Sequence, residues 1–323
     1  MANKTNIAGA DSGDFVQLDN VVLDVYSQEI LYQAQPALRF ESVAVQRQEL
    51  GVMPGNNIKF LRYASLDGDS AIAETAEIET DSMSTSTIEI GVGEHAKAIQ
   101  VSQALLNASV TNVLDDAAVL LGQHYATWRD SLVRDELLGG TNLYYAGESA
   151  NRAALGATST FKVDDVRAVV ERLSTAKAPK FELDAYVCFV HPHQARYLRA
   201  DPAWVNVQLY GSVDNIRTGE IGRIEDVRFI ETTKVPYVKK NTQDIWSDGA
   251  DTGVNTSVTA NSATDVYRSL IVGDYAVGMA EALPVEMRDN GVIDFGRKHA
   301  LAYYGIWGSG LIEEAHSLII ETA

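Results

Sequence analysis

Glu220, Glu225, Asp226 and Glu231 fall within one short segment, GEIGRIEDVRFIETT (219–233). Closely placed carboxylates are the tools of general acid–base and glycoside chemistry. No histidine accompanies them, and nearness in sequence does not set two carboxyls across a bond, so they are read as solvated charges flanking a strand. His191 and His193, in HPHQ, could begin a metal site, yet no cysteine or further histidine lies close by to complete a tetrahedral set. Glu313 and His316 form a single Glu-x-x-His pair among strand-like residues, where a di-iron bundle needs that motif twice on helices. GVGEH (91–95) lacks the Gly-Lys-Ser/Thr ending of a phosphate loop, and no Gly-x-Ser-x-Gly elbow occurs. Cys188, the one cysteine, sits in the apolar run AYVCFV and reads as a small buried thiol that excludes an internal disulfide. No catalytic residue, cofactor site or metal site is therefore assigned.

The elements that would have to position any chemistry are easier to read. The chain has 323 residues, 46% hydrophobic and 22% charged, enough for a sizeable core in one elaborate domain or two lobes. A formal charge of −18 argues against wrapping nucleic acid or lying on an anionic membrane, because both demand a basic surface. The amino terminus shows neither a basic leader nor an apolar segment, and no apolar run approaches the ~20 residues of a bilayer span, so a cytoplasm-like compartment is expected.

Val22, Val25, Tyr26, Ile30 and Leu31 have helical spacing and end at Pro36, which predicts an amphipathic arm. IKFLRYASLDGDSAIAE and STIEIGVGEHAKAIQVS predict the two strands of a long hairpin. Between Arg62 and Lys97 there is no Lys or Arg, but eight acids: Asp67, Asp69, Glu74, Glu77, Glu79, Asp81, Glu89 and Glu94. This run is either a solvated loop or a projecting limb that meets basic groups of another chain, since a two-stranded hairpin with few core residues is marginal alone.

Leu114, Ala117, Leu121, Tyr125, Trp128 and Leu132 follow a three-then-four spacing that predicts a long helix with one core-facing stripe, capped by Thr111 and ended at Gly139-Gly140. VDDVRAVVERLSTAKAPKF predicts a second helix, AYVCFV a strand, HQARYLRADPAWVNVQ a helix broken at Asp201-Pro202, and VRFIETT another strand, together a small α/β sandwich. Residues 241–265 are polar and read as an exposed excursion. RSLIVGDYAVGMA reads as one apolar strand, and the last forty residues as strands packed beside the long helix.

The segment YVCFVHPHQARYLRADPAWVNVQ, followed by GEIGRIEDVRFIETT, carries a family resemblance in His191, Pro192, Asp201, Pro202, Trp204, Gly219 to Arg223 and Val227 to Thr232. With the closing ALAYYGIWGSGLIEEAHSLIIETA, it resembles the major capsid proteins of tailed phages typified by coliphage N-four. The match covers about 45 residues plus this tail, with element order agreeing over most of the remainder.

The resemblance implies an α+β, Hong Kong 97-type capsid fold. It would comprise an amino-terminal arm (1–50), an extended hairpin loop (51–104), a peripheral domain with a spine helix (105–160 and 284–323), and an axial domain (161–283) bearing the excursion 241–265. The implied function is the shell of an icosahedral phage head, built from hexamers and pentamers of the chain in the host bacterial cytoplasm and enclosing DNA without reading its sequence. Portal, scaffold and decoration proteins are the implied partners, and no membrane is. Asp67, Asp69, Glu74, Glu77, Glu79 and Asp81 are expected to rest near basic residues of an adjacent subunit, with Arg297 and Lys298 as the candidates. Between Arg62 and Lys97 the hairpin offers no lysine, so covalent welding through a hairpin lysine is not expected. Alternatives are an encapsulin-like cellular compartment, a hydrolase using the 219–231 carboxylates, and an adhesin binding through the excursion.

Overall fold

The structure is a computed structural model that describes residues 39–48, 57–63, 82–83, 85–108, 113–181, 184–204, 220–240, 245–247, 250–251 and 264–323. The expected arm helix, its Pro36 stop, the Thr111 cap and most of the acid-rich run lie outside these residues.

In chain order the strands are β1 (Val45–Gln48), β2 (Asn57–Tyr63), β3 (Thr85–Gly91), β4 (Gly93–Ser102), β5 (Leu143–Tyr145), β6 (Tyr186–Val190), β7 (Glu220–Ile224) and β8 (Val227–Glu231). They continue with β9 (Tyr237–Val238), β10 (Ile245–Ser247), β11 (Ala250–Asp251), β12 (Val266–Val272), β13 (Val277–Ile293), β14 (Lys298–Leu311) and β15 (Ser317–Thr322). Helices run over Gln103–Ala108, Val113–Leu138, Val163–Thr175 and Pro192–Ala200. None is long and apolar enough among the described residues to cross a membrane.

Among the described residues three sheets form. A four-stranded sheet has the order β1-β13-β14-β4 and a nine-stranded one β11-β10-β9-β12-β6-β8-β7, with β15 beside β12 and β5 beyond it. A separate antiparallel ribbon pairs β2 with β3, from Asn57 opposite Gly91 to Tyr63 opposite Thr85. The expected hairpin partner thus divides at Val92: β3 serves the ribbon, while β4 pairs with β14.

Helix Val113–Leu138 is the spine. Asp115 and Asp116 in its first turn favour the positive end of the helix dipole, and Gly139 closes it by donating to the Asp135 and Glu136 carbonyls. The spacing rule placed Trp128 and Leu132 on the buried stripe; Leu132 packs partly buried against the core, but Trp128 is 43% exposed and the buried face runs on through Arg129, Asp130, Val133, Arg134 and Leu137. A strict three-four pattern repeats every 3.5 residues while the helix turns every 3.6, so by the third heptad the stripe has rotated off the core.

Strand alternation then divides the nine-stranded sheet between two cores. Val187 and Phe189 of β6, Leu270 and Val272 of β12, and Ile319 of β15 face the core that holds the spine helix. Tyr186, Cys188, Val190, Ile271, Leu318 and Ile320 face the other, under helices Val163–Thr175 and Pro192–Ala200. All five residues of β6 are buried, as expected of a strand covered on both faces. Burial pushes the Cys188 thiol well above its ordinary range, which leaves it unreactive.

RSLIVGDYAVGMA is not one strand: β12 ends at Val272, the chain crosses at Gly273–Ala276 and enters the other sheet as β13. A Cβ on Gly273 would lie 2.9 Å from the Pro179 carbonyl oxygen, so the crossing needs glycine for close approach. The carboxyl end also crosses back, because β15 joins β12 and β5 rather than lying with β14 beside the spine helix. Part of the polar excursion is ordered too, with Ile245–Ser247 and Ala250–Asp251 extending the edge of the nine-stranded sheet.

Candidate inter-subunit surface and its anchorage

Glu225, Asp226 and Glu231 serve structural ion pairs. Glu225 and Asp226 form the two-residue turn between β7 and β8 with φ of 48° and 59°. Each described carboxylate meets a cation: Glu225 meets Arg167 at 2.9 Å, Asp226 meets Lys180 at 2.9 Å and Arg223 at 3.3 Å, and Glu231 meets Arg199 at 2.8 Å. The Lys180 hydrogen bond holds Asp226 below the usual carboxylate range, so it has no tendency to carry a proton for catalysis. His191 caps helix Pro192–Ala200, its Nδ1 accepting from the His193 N–H at 3.2 Å, and no cluster of potential metal ligands occurs among the described residues. His316 Nδ1 lies 3.1 Å from the Asp274 carbonyl oxygen, in the turn where the chain crosses back.

The family-like motif residues position elements in the same way. The Asp201 carboxylate accepts from the Val163 N–H at 3.1 Å, tying one helix start to the other helix end, and Trp204 meets Phe229 edge to face at 5.2 Å. Buried Gln194 joins Ser269 and Thr322 across the sheet, at 2.7 and 2.9 Å.

Sequence reasoning missed the anchorage of the arm. One oxygen of Asp130, buried on the spine helix, accepts from the backbone N–H groups of Arg39, Phe40 and Glu41 at 2.8, 2.7 and 3.4 Å. Its other oxygen accepts from Lys234 at 2.9 Å. Phe40 then packs 4.3 Å from Phe189. Beside it Arg129 reaches Glu41 at 2.7 Å, Glu281 of β13 at 3.0 Å and the Tyr125 hydroxyl. Two carboxylates thus share one guanidinium, and burial, opposed by Arg129, raises the Glu41 pKa. A second triad joins Arg152, Glu321 and Arg268 inside the nine-stranded sheet. The available signal was an Arg-Asp pair in the middle of a helical stripe, which belongs inside only when partnered.

Phe60, Ile90 and Ala280 bury the root of the β2–β3 ribbon, whereas Thr85 to Thr87 are exposed and Tyr63 is 60% exposed. The acids Asp67, Asp69, Glu74, Glu77, Glu79 and Asp81 lie outside the described residues, and within the ribbon Glu89 pairs with Lys59 at 2.7 Å. Arg297 and Lys298 sit at the turn joining β13 to β14, held only loosely by Asp294 at 3.9 and 3.8 Å, and both are exposed.

A family described as phage capsid protein matches residues 107–308, which span the spine helix, the α/β layer and the long β13–β14 hairpin. The chain belongs to the phage capsid protein family. No curated protein matches this capsid protein in sequence. Its fold is shared with the capsid of Ralstonia phage GP4, at 18% identity and a TM-score of 0.70 over 88% of this chain and 90% of that one. The cyanophage P-SCSP1u capsid gives 17% and 0.64, covering 88% of each chain, and the cyanophage Pam1 capsid 13% and 0.65, covering 90% and 92%. The capsid protein therefore has the mixed α+β, Hong Kong 97-type fold. It is a structural component of a phage head shell.

Proposed function

We propose that this chain is the major capsid protein of a tailed, double-stranded DNA phage of the coliphage N-four-like group. Hexamers and pentamers of it close into an icosahedral head, assembled in the bacterial cytoplasm around no catalytic centre. The observation that carries the proposal is the contrast between a doubly anchored arm root and a ribbon whose outer described residues, Tyr63 and Thr85 to Thr87, are exposed. A two-stranded ribbon covered only at its root is marginal in water beyond that root, so its outer part needs a neighbouring subunit to lie on. Permanent subunit interfaces bury on the order of 2,000 to 5,000 Å², an area that limbs of this kind supply.

In this reading the arm occupies 1–50 and the extended hairpin 51–104, with peripheral and axial units behind them. The acids Asp67, Asp69, Glu74, Glu77, Glu79 and Asp81 face Arg297 and Lys298 of an adjacent subunit. Exposed ion pairs contribute about 0.2–1 kcal/mol each, so they set register more than strength. The charge of −18 repels the packaged genome and lets it slide along the wall. Electron microscopy of the purified protein, with its portal and any scaffold, tests the proposal: closed shells of uniform diameter are expected, and fibres or dispersed monomers would refute it. Reversing the six hairpin acids to lysine should impair shell closure while leaving the monomer folded, and normal shells from that variant would remove the ion-pair register.

A further inference from the structure

Among the exposed large hydrophobic residues of the described chain, one stands out. Phe295, at the tip of the β13–β14 hairpin, has a relative exposure of 104%. The backbone there is costly as well: Asp294 and Phe295 have φ of 55° and 53°, followed by Gly296 at 91°. Left-handed backbone at a bulky aromatic residue is strained; the hairpin turn needs that backbone, with the Arg297 N–H donating to the Asp294 carbonyl at 3.1 Å, but it does not need an aromatic ring there, and the ring touches no core.

The tip is not alone at its end of the sheet. The Gln103 N–H donates to the Arg297 carbonyl at 2.8 Å, and Ser102 pairs with Lys298, so the short helix Gln103–Ala108 begins beside the turn. Leu105 on that helix is 50% exposed and Val292 on β13 is 39% exposed. Three exposed apolar side chains of the described residues thus belong to elements that meet at this end of the sheet, beside Arg297, Lys298 and Asp294.

We infer that this corner is a docking knob whose occupant is a second copy of the same chain, with the Phe295 ring buried in the contact and the basic rim against acidic surface. Charge selects that occupant. The rim carries two cations to one acid on a chain of net charge −18, and the same chain offers eight acids without one base between Arg62 and Lys97. A central aromatic surrounded by a charged rim is the arrangement in which one side chain dominates an interface. The inference rests on the capsid reading and deepens it by naming the anchoring residue.

The test is Phe295→Gly beside Phe295→Leu and the unaltered chain, comparing monomer melting with the protein concentration at which shells appear. Glycine adopts the left-handed turn without strain. The Gly variant should therefore melt no lower than the unaltered monomer while needing at least about tenfold more protein to assemble. Phe295→Leu should recover most of the loss. Assembly of Phe295→Gly at the unaltered threshold would overturn the inference, as would a monomer that melts markedly lower, which would make the ring part of the subunit's own packing. So would normal assembly combined with lost DNA retention at low salt, which would assign the knob to nucleic acid. If the unaltered chain forms no shells with its assembly partners, the capsid reading fails first, and that outcome is separate from any effect of Phe295.

Discussion

The two buried ionic triads are near mirror images in charge. At the arm root, Glu41 and Glu281 share Arg129; in the nine-stranded sheet, Arg152 and Arg268 share Glu321. One leaves a surplus acid and the other a surplus base, and each ties an end of the described chain to the interior. The chemical difference is that a carboxylate can relieve its surplus by taking a proton, whereas a guanidinium stays charged at any ordinary pH. Burial raises the pKa of Glu41, while Arg268 keeps Nη1 without a partner and has its Nε 3.2 Å from Glu321 without hydrogen-bond alignment. The arm root can adjust to its surroundings. The carboxyl-terminal strand is locked.

The largest effect expected from this contrast is at Glu321. Glu321→Gln strands two buried guanidinium groups and should cost about 3–5 kcal/mol in urea unfolding at neutral pH; a cost below about 1 kcal/mol would mean that the arginines find other partners. Arg129→Met strands two carboxylates, yet one of them can protonate, so its cost should be smaller, roughly 3 kcal/mol, and should shrink on acidification. If both variants lose the same amount at every pH, the asymmetry between the triads is wrong. Removing the surplus base with Arg268→Met should be neutral, or stabilising by about 1 kcal/mol, because Arg152 still pairs with Glu321.

The smallest effect is at Glu41, and its sign depends on pH. A folded pKa raised above the unfolded value means that the folded state binds the proton more tightly, so stability rises as pH falls through the folded pKa. Glu41→Gln should match or slightly exceed the unaltered protein at pH 8. The unaltered protein should then gain on it as pH falls from neutral toward the ordinary glutamate value near 4.5. Parallel pH profiles for the two proteins would show that Glu41 does not titrate in this window.

Much of this architecture was legible in the sequence, for physical reasons that also mark where legibility ended. The spine helix announced itself because a long amphipathic stripe has few other solutions, and AYVCFV did so because an unbroken apolar run needs cover on both faces. The switch between sheets at Gly273–Ala276 left no mark, since strands on either side of a crossing share one β pattern. The triads were invisible for a related reason: their partners are separated by 152 and 169 residues, and only the fold brings them within hydrogen-bond reach. Phe295 in DFGRK gave no signal in the sequence, because exposure is a property of what fails to fold over it. The acid-rich stretch stood out from its charge alone, while the partner proposed for it lies on another copy of the chain, where one sequence gives no register.

The account stands on the claim that the subunit is unfinished by itself, with its outer ribbon completed by a neighbour. Amide hydrogen exchange at residues 61–63 and 85–87, compared between free subunit and assembled shell, tests this most directly. Exchange close to that of an unstructured peptide in the subunit, slowing sharply in the shell while the spine helix stays protected in both, is the predicted result. Equal protection of the ribbon in both states would contradict it.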